Sequence, residues 1–207
     1  MISHSENEFG SVEVAISMSV DGFITGPGEK GAGLGRGGEL LHAWFTRDPS
    51  GPSLLDATLF SNAGAVITSR KVYDGMDGWG ETGFYRMPVF VLTHRPHHMV
   101  TSGETTFTFV TDGIRSAVAR ARVAAGTKMV HIMGGASVAQ QALEADLVDR
   151  LHLHVAPIIL GSGTRLFDGL SEPIELARID VVESAFATHL RFRVVKGADA
   201  SRLHDKA

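Results

Sequence analysis

The sequence predicts an α/β domain of three layers: a mostly parallel, mixed sheet of about eight strands, helices on both faces, and an antiparallel C-terminal edge. Three observations carry this expectation. Short apolar runs at 63–68, 89–92, 106–110 and 129–133 are bounded by polar or glycine residues, as strands covered on both faces are. Amphipathic helical repeats lie beside them at Ile114 to Ala125 and Val138 to Leu147. After Asp149 come three strand-like segments with no helix between the last two, which requires antiparallel pairing.

Taken in order, the stretch from Val12 to Ser19 alternates and is rich in β-branched residues, and Asp21-Gly22 breaks it. The glycine-rich run from Gly26 to Gly38 reads as a mobile active-site loop, followed by an amphipathic helix from Glu39 to Arg47. The four interior strands and two helices follow, and then strands at Leu151 to Leu160, Ile174 to Ser184 and Thr188 to Val195. Residues 1–10 and 197–207 are polar and are expected to be flexible ends around a single domain at 11–196.

Composition narrows the function classes. A chain of 207 residues with 43% hydrophobic and 20% charged side chains supports one buried core, and a mean hydropathy of +0.08 argues against global disorder. The formal charge is -4 and the Lys and Arg residues are scattered, so neither nucleic acid nor an anionic membrane is an expected partner. With no cysteine, disulfides, thiolate metal sites and cysteine nucleophiles are all excluded, and a cytoplasmic location fits. No apolar run reaches the ~18 residues of a membrane span, and Met1 to Gly10 lacks a signal-peptide core.

The chemistry concentrates at strand ends. Met129 to Met133 is a buried strand that stops at Gly134-Gly135, just before Ala136-Ser137 and a helix. Paired glycines let a phosphate approach the backbone, and the helix N-terminus offers N–H donors with a partial positive charge. The same residues also suit a plain strand-to-helix turn. Two other strands end in Thr68-Ser69-Arg70-Lys71 and Thr93-His94-Arg95, hydroxyls and guanidinium groups that suit a 2'-phosphate.

In this order the pieces resemble the dihydrofolate reductase superfamily, and more closely its branch typified by the RibD C-terminal, riboflavin-biosynthesis pyrimidine reductase domain. The further marks are Ser19-Val20-Asp21-Gly22-Phe23-Ile24, Tyr73, and Val148-Asp149-Arg150-Leu151 leading to the run from Pro157 to Phe167. The resemblance implies NADPH as cofactor and hydride transfer to a small heterocyclic or carbonyl substrate. It puts Thr68, Ser69, Arg70, Lys71, Thr93, His94 and Arg95 around the adenosine phosphates, and Met133, Gly134, Gly135, Ala136 and Ser137 on the diphosphate. Ser17 and Ile24 would flank the nicotinamide, while Asp21, His42, Trp79, Gly161 and Phe167 would border the substrate. It also implies a cis peptide at the paired glycines and a homodimer, for which the strand carrying Leu151, Leu153 and Val155 offers an edge.

Two departures mark this chain. Ser69 stands where the family usually has glycine before the arginine. If Ala43-Trp44-Phe45 sets the register of the helix after the first loop, Leu41 stands where folate reduction needs a carboxylate, so folate is a poor substrate. Asp21, in the catalytic role, Glu39, His42 or Tyr73 are the candidates for moving the proton. A non-catalytic nucleotide-binding protein on the same fold is the alternative, and a flavin-binding or metal-dependent role a third.

Several patterns are set aside. Gly33-Leu34-Gly35-Arg36-Gly37-Gly38 fits G-x-G-x-x-G, but residues 25–32 separate it from its strand. His152 and His154 share a strand face at ligand spacing, yet no third ligand is in view, so no metal is assigned. His97-His98 reads as solvated surface, and Gly161-Ser162-Gly163 lacks the frame of a nucleophile elbow. Trp79, between two glycines, fits a stacking platform or an anchor for its loop.

Overall fold

The computed structural model describes residues 9–28, 33–55 and 60–196. Of the expected flexible ends, 1–10 and 197–207, residues 1–8 and 197–207 lie outside them, while Gly10 N donates to Gly126 O at 3.1 Å. The order is β1 (Val12–Ser19), a 3-10 turn (Gly38–His42), α1 (Ala43–Thr46), α2 (Gly51–Leu55), β2 (Ala63–Ser69) and α3 (Arg70–Gly75). A second 3-10 segment (Asp77–Thr82) leads to β3 (Pro88–Leu92), β4 (Val100–Ser102), β5 (Thr105–Val110), α4 (Ile114–Ala125) and β6 (Met129–Ile132). Then come α5 (Ala136–Glu144), β7 (Arg150–Ala156), β8 (Leu176–Glu183) and β9 (Thr188–Val194). All the strands join one 9-stranded sheet in the order β4-β5-β3-β2-β6-β1-β7-β9-β8. The ladders among β1, β2, β3, β5, β6 and β7 are parallel, and both edges are antiparallel.

The fold class is therefore as expected, with local corrections. The ninth strand is β4, a three-residue piece with no apolar run to announce it. The strand expected to reach Leu160 ends at Ala156, because Pro157 has no N–H for the ladder. The helix expected over 39–47 is split at His42, whose φ and ψ of -107° and 7° leave the helical region. Leu151, Leu153 and Val155 offer no free edge, since β7 is bonded to β1 on one side and β9 on the other. The edge strand at that end of the sheet is β8, which leaves Ile179, Val181 and Val182 about half exposed.

Alternation sends side chains to two cores. On one face Val12, Val14, Ile16, Ala65, Ile67, Val130, Ile132, Leu151 and Leu153 pack under α4 and α5. On the other, Val66, Val89, Val91, Phe107 and Phe109 pack against Tyr73, Trp79 and Tyr85. Asp149 fixes the entry to β1: its Oδ2 accepts from Val12 N at 2.8 Å, and Lys196 and Arg122 hold the carboxylate at 2.8 Å and 3.3 Å. The Tyr85 hydroxyl is buried without a partner. Tyr85→Phe removes that unsatisfied group, so urea unfolding should show stability unchanged or raised by about 1 kcal/mol.

Candidate active site at the carboxyl ends of β1 and β6

β1 and β6 are parallel neighbours whose onward connections leave on opposite faces. From β6 the chain passes through α5, over the first core, to β7; from β1 it passes through the 3-10 turn and α1, on the other face, to β2. Connections that part in this way leave a crevice outside the strand ends, where ligands of open α/β sheets bind.

The wall on the β6 side is Gly134-Gly135. Both residues have positive φ, 69° and 82°, a region costly for any side chain. A Cβ on Gly135 would lie 2.7 Å from Ser69 Oγ, so the turn closes tightly on the end of β2. The next residue opens α5, a 9-residue helix whose N-cap, Gly135, makes no side-chain cap; Val138 N already donates to Gly135 O at 3.0 Å, so the uncapped N–H groups at its start are those of Ala136 and Ser137. Among the described residues no peptide bond is cis, so the implied cis bond at the paired glycines is absent.

Ser69 and Thr68 meet that turn from β2. Thr68 Oγ1 donates to Met133 Sδ at 3.8 Å, and Ser69 Oγ accepts from Val72 N at 3.2 Å, capping α3. At the position of the departure from glycine, the serine hydroxyl thus starts a helix. Arg70 and Lys71 are the first residues of α3, and Arg70 is held by Asp74 at 2.6 Å and lies over the Phe109 ring at 5.3 Å. From β3, Thr93 Oγ1 accepts from Arg95 N at 3.1 Å, which turns His94 and Arg95 out into solvent.

Ser17 and Ile24 lie on the β1 side, near the carboxyl end of that strand. Ser17 Oγ accepts the Trp44 Nε1–H at 2.9 Å, and Ile24 packs against the first core. The segment between them is strapped to the chain after β7. Val20 N donates to Ile158 O at 2.9 Å, Ile24 N to Thr164 O at 2.9 Å and Leu166 N to Gly22 O at 3.1 Å. Asp21 closes the strap by accepting from Leu160 N at 3.1 Å and Gly161 N at 2.8 Å. The Ser19 hydroxyl and those two N–H groups hold its carboxyl at about 2, below the ordinary 3.8. At neutral pH Asp21 has no proton to give, and its geometry is that of an anchor. The lowered value means that Asp21 stabilises the fold above pH ~4, and that this is lost as pH falls through about 2. Asp21→Asn should therefore be less stable than the parent near pH 6 and converge with it near pH 2 in urea unfolding.

The RibD C-terminal domain family profile matches residues 11–188. The chain belongs to that family. A relative from Bacillus subtilis (strain 168), the uncharacterized protein YwjB, is 29% identical over 122 residues, covering 56% of this chain and 66% of that protein, just under two thirds of its length. A putative riboflavin biosynthesis protein from Shewanella sp. PV-4 superposes with a TM-score of 0.67 at 22% identity, covering 90% of this chain and 99% of that one. A dihydrofolate reductase from Enterococcus faecalis, complexed with NADP(H) and RAB-propyl, gives 0.62 at 14% identity, with 90% and 98% covered. At such identities the likeness is one of fold, and the fold is dihydrofolate reductase-like.

In this RibD C-terminal domain protein the face opposite α5 carries features the sequence did not announce. Leu41 is fully buried, and Trp44, 2% exposed, lies flat on His154 with ring centroids 4.1 Å apart. His154 is buried against His189 of β9, and burial pushes His42, His131, His152, His154 and His189 all below the usual imidazole range. His42 is half-buried, edge-on to Phe45 at 5.4 Å, on a turn that touches both β1 and β7. Tyr73 sits among Phe107 and Phe109, and Trp79 stacks parallel on Phe107 at 6.0 Å and edge-on to Tyr85 at 5.1 Å. Trp79 is thus an anchor for its loop. Gly161 and Phe167 are exposed on the strap, and Glu39 is exposed at the start of the 3-10 turn. His189 and Trp44 were missed; only the β7–β9 register or the contacts of α1 reveal them.

Proposed function

We propose that the chain is an NADPH-dependent reductase acting on a small heterocyclic or carbonyl substrate. The observation that carries this is the Gly134-Gly135 turn: two positive-φ glycines and an uncapped helix N-terminus at the point where the β1 and β6 connections part. Family membership supports it, as do the guanidinium groups of Arg70 and Arg95, which follow two strands on one flank of that turn. Bound NADPH supplies a hydride. The residues of this chain would do the positioning: the N–H groups of Ala136 and Ser137 at the start of α5 would hold the diphosphate, and Thr68, Ser69, Arg70, Lys71, Thr93, His94 and Arg95 would surround the adenosine phosphate. Ser17 and Ile24 flank the nicotinamide, and the strap from Asp21 to Phe167 borders the substrate.

The test is thermal stability with NADPH against NADH. A ligand at a hundred times its Kd adds about 2.7 kcal/mol, and NADPH should give the larger gain at equal concentration. Arg70→Ala combined with Arg95→Ala should erase the difference. An unchanged preference in that double variant removes the phosphate assignment. NADPH oxidation across pteridines, ribosylamino-pyrimidines and quinones then tests for turnover.

Leu41 favours one second reading. A fully buried leucine where folate reduction needs an acid is compatible with a protein that binds the nucleotide without reducing anything. Saturable NADPH binding with no turnover on any of the three substrate classes would select it. The reading also includes a homodimer, for which β8 offers the exposed apolar edge. Light scattering at micromolar concentration should give twice 22.1 kDa, and a value of 22.1 kDa rejects the dimer.

A further inference from the structure

β7 and β9 run antiparallel in a register that sets His154 directly opposite His189. Alternate residues of a strand share a face, so His152 lies on the same side, two positions back. The Nδ1 atoms of His154 and His189 are 2.6 Å apart, and one ring nitrogen from each of the three histidines lies within 4.8 Å of the others. His154 and His189 are buried and His152 is half-buried, so the cluster meets solvent at one end.

The surroundings orient the rings. His189 Nε2 is 3.2 Å from Ser184 Oγ, which can accept its N–H. An outer hydrogen bond of this kind fixes the tautomer that presents the other nitrogen's lone pair inward, as metal-ligating histidines are held. Trp44 lies flat against His154 and closes one side. Arg191, opposite His152, is paired with Asp180 at 3.4 Å.

We propose that His152, His154 and His189 form a binding site for a divalent transition-metal cation of the zinc class, with a fourth position open to water. Three imidazoles without a thiolate or carboxylate suit zinc, copper, nickel or cobalt rather than magnesium or calcium. Bonds of about 2.0–2.1 Å in tetrahedral geometry set ligand nitrogens roughly 3.3 Å apart. Seating an ion therefore parts the His154 and His189 nitrogens by less than about 1 Å and draws His152 inward. The cation takes the place of the proton held between the two Nδ1 atoms, which moves to Nε2 of its own ring. The third ligand, whose apparent lack left His152 and His154 unassigned in the sequence, is 35 residues along the chain from His154. The site stands whether or not the protein reduces a substrate.

The test uses the tag-free full chain, stripped with chelator and titrated with Zn²⁺ alone and Co²⁺ alone. One equivalent of each should bind, Co²⁺ giving the visible absorption of a four-coordinate ion. His152→Ala should weaken binding by at least the tenfold that loss of an outer partner costs, and Ser184→Ala by about tenfold. His97→Ala, in an exposed loop, should bind as the parent does. Because His152 is half-buried, its variant should keep the parent's circular dichroism, which makes its metal affinity interpretable even where His189→Gln fails to fold. No saturable binding by the parent, or parental affinity in His152→Ala, overturns the proposal.

Discussion

Gly135→Ala should lose NADPH affinity by more than tenfold while the folded state survives. Two costs act together. At a φ of 82° a side chain strains the backbone by about 1–3 kcal/mol, and the added methyl meets Ser69 Oγ at 2.7 Å and Ser69 Cβ at 2.8 Å. Relief requires the turn to move away from β2, which would carry the Ala136 and Ser137 N–H groups out of line with the position proposed for the diphosphate. Gly126→Ala is the control: its φ of 60° carries a similar strain, yet no atom lies within 4 Å of the new Cβ, and it ends α4 before the start of β6, at the opposite end of that strand from the turn. Urea unfolding should show both variants destabilised, and NADPH titration should show only Gly135→Ala impaired. Equal affinity in the two would mean that the glycine turn shapes the fold and no ligand.

Trp44→Ala should be the most destabilising single change on the α1 face, costing about 3–5 kcal/mol, a large share of the 5–15 kcal/mol typical of a domain. The ring is 2% exposed, stacks on His154, and its Nε1–H is the donor to Ser17 Oγ at 2.9 Å. Deleting it opens a cavity under α1 and releases Ser17 beside the crevice, so cofactor affinity should fall along with stability. Trp44→Phe separates the two effects: most of the packed area remains, and loss of the hydrogen bond alone should cost about 1 kcal/mol. Urea unfolding of both variants measures the difference.

The parallel strands were legible because strands covered on both faces carry unbroken apolar runs, as Ala65 to Ile67 and Val89 to Leu92 do. The edge β4, three residues of mixed character, had no such signature. Gly134-Gly135 before Ala136 was visible as a turn into a helix, since glycine at positive φ is a local requirement. What local pattern could not give was anything set by pairing between distant segments. His189 reads as a lone histidine until the β7–β9 register places it against His154, and Asp21 reads as an acid until the N–H groups of Leu160 and Gly161 are seen to bind it. Arg70 lies between these cases: Asp74 sits four residues on, a helical spacing, but the helix itself depends on the Ser69 cap.

A crystal structure with NADPH bound tests the central claim most directly. The expected result places diphosphate oxygens at hydrogen-bond distance, about 3 Å, from the backbone N–H groups of Ala136 and Ser137, with the nicotinamide between Ser17 and Ile24. A diphosphate bound away from Gly134-Gly135 would contradict it.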